Sequence, residues 1–154
     1  MTPLQPLLAL LAQARSERDT ALAQHQQAQA THRAAQTQAQ QLTDYRSDYE
    51  GRWNTRFTVE GSAELLHCYQ GFANRLTQAV DHQGRMIDHT AKAVEHSRLE
   101  LARYELRVAS VSKLIERRVA ELKLQSDRRE QKQADEWSSR AAWNRRADGA
   151  TTRY

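Results

Sequence analysis

The 154-residue sequence contains one cysteine, two prolines and five glycines, and each scarcity excludes something. Cys68 alone cannot form an internal disulfide, so nothing favours an oxidising compartment. So few glycines and prolines cannot supply the turns of a β-sandwich or an α/β fold. Apolar residues make up 39% of the chain, against roughly half in an ordinary compact domain, so the core is small. No run approaches the ~18 apolar residues of a membrane span. The weakly apolar stretch from Leu4 to Ala12 has no Lys or Arg ahead of it and is interrupted by Pro6, which speaks against a secretory signal and for a cytoplasmic protein. A phosphate-cradling glycine loop and a nucleophile elbow are both missing. His82, His89 and His96 recur at seven-residue spacing, about 10.5 Å apart along a helix, too far to share an ion. They read as a solvated stripe. No catalytic residue, metal site or cofactor is expected.

What remains is rich in Ala, Gln, Arg, Glu and Leu, which are helix formers. Thr2, Pro3 and Pro6 suit a helix start, since proline is tolerated in the first turn. No further Gly or Pro occurs before Gly51. Two glycines and a β-branched cluster then mark a break. The reading is a first helix over about 4–52, a connection over 53–62, a second helix over 63–146 and a short polar tail over 147–154, together forming a single coiled-coil domain. Ser62 is the expected N-cap of the second helix, with Glu64 well placed for its dipole.

Heptad periodicity separates this chain from disorder. In the first helix the d positions Leu7, Ala14, Ala21, Ala28, Ala35, Leu42 and Tyr49 are all apolar or aromatic. Its a positions include Arg18, His25 and His32. In the second helix the a positions Leu66, Ala73, Val80, Ile87, Val94, Leu101, Val108, Ile115 and Leu122 have no exception. So long a seven-residue repeat imposes a left-handed supercoil. The fold class is therefore all-α: a long antiparallel two-helix coiled-coil hairpin. Pairing by the rule i + j = 115 centres the turn between Phe57 and Thr58 and sets Ala28 against Ile87 and Ala35 against Val80, small facing large. It also sets His25 against Thr90 and His32 against Gln83, a polar middle that can fix register. A slip of one heptad stays open on the sequence alone. The second helix, at roughly 80 residues and about 120 Å, overhangs the first at its C-terminal end.

The overhang carries the net charge. Residues 1–112 hold twelve basic and twelve acidic residues, whereas 113–154 hold eleven and seven. One reading is a solvated helix laced with i,i+4 ion pairs; another is an end that binds an acidic partner. A nucleic-acid helix would interleave fewer carboxylates. A second asymmetry lies beside the seam. The g positions of the second helix read Leu65, Phe72, Ala79, Met86 and Ala93, while its e positions are mostly polar. Register sets Tyr45 beside Phe72 and Gln38 beside Ala79. This flank is either a widened seam or a docking patch with an aromatic anchor.

Three motifs resemble those of the FliJ family of flagellar type III export proteins: Leu42 ahead of Tyr45-Arg46-x-x-Tyr49; Tyr69-x-x-Phe72-x-x-Arg75-Leu76-x-x-Ala79-Val80-x-x-Gln83; and Glu130-Gln131-Lys132-x-x-Asp135-Glu136. The resemblance covers nearly the whole chain. It implies an antiparallel coiled coil similar to the stalk of rotary ATPases and a non-enzymatic role in flagellar protein export and motility. It implies three partners: the hexameric ring of the export ATPase at the termini-bearing end, the cytoplasmic domain of the export-gate membrane protein, and export chaperones. The gate patch falls on Gln38, Leu42, Tyr45, Tyr49, Phe72, Leu76 and Ala79; an eighth position, histidine in some members, is Gln83. Arg117, Arg118, Lys123, Arg128, Arg129 and Lys132 are the ATPase-binding candidates. The location implied is cytoplasmic and peripheral to the inner-membrane export apparatus, with no membrane insertion. The rival readings are a basic coiled-coil arm that binds nucleic acid, which salt would weaken by orders of magnitude, and a passive spacer.

Overall fold

In a computed structural model, which describes residues 4–59 and 61–151, the chain forms two α-helices: α1 (Gln5–Val59) and α2 (Ala63–Thr151). No strand occurs among the described residues. The start of α1 has Pro6 in its first turn and a Leu8 N–H to Leu4 carbonyl bond of 2.9 Å; Thr2 and Pro3 lie outside the described residues. The cap of α2 is the expected one. Ser62 Oγ accepts from the Leu65 N–H at 3.2 Å, and Glu64 sits in the first turn.

The helices form two compact units, one from Met1–Ala14 with Arg107–Tyr154 and one from Arg15–Leu106. In the second unit two side-chain layers fix the pairing. His25 Nδ1 lies 2.8 Å from Ser97 Oγ, and His32 Nδ1 lies 2.9 Å from Thr90 Oγ1. Both pairs obey i + j = 122, one heptad away from the rule expected from sequence. Ala21 therefore faces Leu101, Ala28 faces Val94 and Ala35 faces Ile87. Small still meets large, which is why pattern alone did not choose between the two registers. In the first unit Leu11, Ala14 and Val111 are buried, in keeping with the same rule.

The cause of the shift lies at the turn. Residues 53–59, expected in the connection, belong to α1, which continues to Val59. Gly51 is helical, with Thr55 Oγ1 bonded to its carbonyl at 3.1 Å. A helical glycine costs about 1 kcal/mol, but Tyr49, Trp53 and Phe57 follow one another at four-residue spacing and pack as a stripe. Their burial against α2 outweighs the glycine. Moving the turn centre by half a heptad moves every pair by a whole one. Two smaller corrections follow. Leu66, expected in the seam, is 43% exposed, while Leu65 beside it is half-buried, so the seam shifts by one residue near the turn. The expected tail from 147 is helical up to Thr151, whose Oγ1 bonds the Ala147 carbonyl at 2.8 Å; residues 152–154 lie outside the described residues.

The seam predicts its own tolerance. Ala21 is almost fully buried opposite Leu101, so Ala21→Leu overpacks that layer and should cost about 1–3 kcal/mol. Thr90 already donates its hydroxyl to the Met86 and Ile87 carbonyls at 2.9 and 3.0 Å. His32→Leu therefore leaves no donor stranded and should cost under about 1 kcal/mol. Thermal melts of the two variants should rank in that order; the opposite ranking would remove Ala21 from the seam.

Candidate functional site

In the unit formed by Arg15–Leu106, six aromatic side chains meet next to the turn. Tyr49 lies at the centre, its ring 4.4 Å from Phe72, 5.8 Å from Tyr69 in a stacked arrangement and 5.9 Å from Trp53. Trp53 and Phe57 continue the cluster onto Tyr69 at 5.4 and 6.1 Å. Tyr45 closes the other end, edge-on to Phe72 at 6.4 Å. Such tilted and edge-to-face pairs each contribute about 0.5–1.5 kcal/mol beyond their buried area. Four-residue spacing on α1 and the Tyr69–Phe72 pair on α2 put the rings on facing surfaces, and the register brings them together.

The seven residues of the flank divide by burial. Tyr45 is half exposed and Gln38 is exposed. Leu42, Tyr49, Phe72 and Ala79 are half-buried, and Leu76 is buried in the seam. The structure thus brings Tyr45, Tyr49 and Phe72 together, and it makes Leu76 a packing residue rather than one that presents its side chain outward. Gln38 meets the eighth position: Gln83 Nε2 donates to the Ala35 carbonyl at 2.9 Å and to Gln38 Oε1 at 3.3 Å. Beside the rings, Tyr49, Phe72, His67, Cys68, Gly71 and Arg75 line an open groove of about 440 Å³. Gly71 supplies only backbone to this wall. Tyr49 and Phe72 give the groove apolar lining, and Arg75 gives it a cationic side chain.

The polar seam lies further from the turn in the same unit. Ser97 Oγ donates to the Val94 carbonyl at 2.8 Å, and Thr90 Oγ1 likewise serves its own helix. Each hydroxyl thus lies within hydrogen-bond distance of both a carbonyl of its own helix and the Nδ1 of a histidine on α1. His82, His89 and His96 are exposed, as expected, and so is Cys68. No group of three metal-capable side chains occurs among the described residues. The resolved protonation shifts belong to an exposed pair away from the rings: the Arg98 guanidinium, hydrogen-bonded to Glu95 at 2.6 Å, lowers the Glu95 carboxyl and is itself raised.

The unit formed by Met1–Ala14 and Arg107–Tyr154 presents a different surface. Leu7 of α1 lines a groove with Leu114, Arg117, Arg118 and Glu121 of α2. Beyond it α2 has no α1 residue left to pair with. Arg117, Arg118, Lys123, Arg128, Arg129 and Lys132 are all exposed, and Arg118 lies 3.7 Å from Glu121. Trp137 and Trp143 are 77% and 70% exposed. Sequence reasoning passed over both tryptophans because it weighed this segment by charge. It also passed over Trp53 and Phe57 by assigning them to the connection, although the four-residue aromatic spacing from Tyr45 was there to be read.

No helix among the described residues is long and apolar enough to cross a membrane. No curated protein and no solved structure matches the chain. The family described as Flagellar FliJ protein matches residues 2–147, nearly all of the 154-residue sequence. With the helical hairpin and the aromatic motifs in place, the chain belongs to the FliJ family, the non-enzymatic components of flagellar protein export.

Proposed function

We propose that this chain is a stalk and coupling factor of the flagellar export apparatus, with one surface for the export gate and another for the export ATPase. The observation that carries this reading is the chemical contrast between its two units. One has a pre-packed aromatic cluster with Tyr45 half exposed at its margin and a groove beside it that Arg75 helps to line. The other has a basic helix end with two exposed tryptophans and no partner helix. Exposed aromatics of this size are the usual anchors of protein interfaces.

The gate's cytoplasmic domain is assigned to the first surface, with Tyr45, Tyr49 and Phe72 as anchors, Gln38, Leu42 and Ala79 around them and Leu76 supporting from the seam. The ATPase ring is assigned to the second. There Arg117, Arg118, Lys123, Arg128, Arg129 and Lys132 steer an acidic rim, and Trp137 and Trp143 supply apolar contact. Export chaperones dock on the same protein, which works in the cytoplasm at the inner-membrane export apparatus. Nucleic acid is disfavoured because seven carboxylates interrupt the eleven cations of residues 113–154.

Two variants test the assignment. Tyr45→Ala removes the marginal ring and leaves the Tyr49–Phe72 and Tyr49–Tyr69 contacts, so circular dichroism should be unchanged. Its affinity for the gate domain should fall about tenfold or more, since an interface aromatic is often worth ~2 kcal/mol. Trp137→Ala with Trp143→Ala should weaken binding to the ATPase by a similar factor and leave gate binding intact. Reversed losses would mean that the two surfaces have been assigned to the wrong partners. If both variants keep both partners, the chain is a spacer.

A further inference from the structure

Within the unit formed by Arg15–Leu106 the seam is nearly blind to a displacement of one heptad. At i + j = 122, Ala21, Ala28 and Ala35 face Leu101, Val94 and Ile87, as the His25–Ser97 and His32–Thr90 layers require. At i + j = 115 the same alanines would face Val94, Ile87 and Val80, again small against large. The polar layers would survive as well. Thr90 would meet His25 in place of His32, and Gln83 would meet His32 in place of the Ala35 carbonyl.

The aromatic cluster would not survive. Trp53 and Phe57 reach Tyr69 only because α1 runs to Val59. In the displaced pairing the turn falls between Phe57 and Thr58, and Tyr69 lies opposite Arg46. The cluster is therefore what discriminates between two seatings that the rest of the unit leaves close to balance. Two of its rings, Tyr49 and Phe72, are also anchors of the candidate gate surface.

We infer that this hairpin has two seatings one heptad apart, selected by the aromatic cluster, and that a partner gripping Tyr49 and Phe72 shifts the balance between them. The partner's role rests on the gate-binding reading above. The displacement slides α2 along α1 by about 10 Å within the unit, turning occupancy of the ring cluster into axial motion. A full switch from 1:99 to 99:1 takes a preference of about 10⁴-fold for one seating; a weaker preference gives a partial shift.

The test uses the full chain with Cys68→Ser and Ala35→Cys, combined with either Ile87→Cys or Val80→Cys. Close seam layers bring Cβ atoms within the ~4 Å that a disulfide needs. With the native turn, oxidation should close 35–87 and not 35–80. Deleting residues 54–60 removes one heptad at the turn, Phe57 included, and leaves the layers of Ala21, Ala28 and Ala35 untouched. That variant should keep its helicity and close 35–80. Trp53→Ala with Phe57→Ala should close both. A deletion variant that loses its helicity, or still closes only 35–87, overturns the second seating.

Gate domain added to the Trp53/Phe57 variant should change the ratio of the two disulfides at least threefold. Binding without such a change overturns the partner's role. Absence of binding removes that role together with the gate reading, while the existence of two seatings is decided separately by the deletion variant.

Discussion

Everything in this protein depends on the register in which two helices meet. A two-helix coil has no third layer to bury a side chain completely, and no large side chain among the described residues is fully enclosed. Stability comes from many half-buried layers, each modest. Such a seam tolerates sliding unless particular layers forbid it. Here the rings around Tyr49 supply those particular contacts, while the imidazole–hydroxyl layers at His25 and His32 mark the register adopted. The alanines of α1 contribute closeness, and the choice of register is left to the aromatic residues at the turn.

This division of labour explains what the sequence made legible. The unbroken a series from Ala73 to Leu122 identifies a coiled coil, and Ser62 marks the start of α2 to the residue. The seam composition is readable too, since Ala14, Ala21 and Ala35 are buried as the heptads require. The register was not readable from the seam, because an alanine series against a Val/Ile/Leu series repeats its own pattern every seven residues. Only the turn could settle it, and there local propensity pointed the wrong way. Gly51 and the Thr55–Val59 stretch suggest a break, whereas the rings of Trp53 and Phe57 draw α1 onward through their contact with Tyr69. Tertiary packing overrode propensity at the position where it mattered most.

The candidate site was legible in part for the same reason. Tyr45 and Phe72 meet as expected, although the register beneath them is different, because long rings span more than one layer. Leu76 belongs to the seam rather than the surface. The tryptophans of the α2 end were hidden by counting charges, since a net balance of cations says nothing about which apolar groups lie between them. Membership in the FliJ family places the chain in flagellar export. On the proposed function the turn cluster has a double character, since the rings that hold the hairpin closed are also the ones assigned to a partner.

Register can be measured in the intact, unmodified chain by nuclear Overhauser contacts across the seam. The i + j = 122 pairing predicts contacts between the imidazole protons of His32 and the γ-methyl of Thr90, with matching contacts from His25 to the β protons of Ser97. Contacts from His25 to the Thr90 methyl, with His32 against the side chain of Gln83, would contradict it.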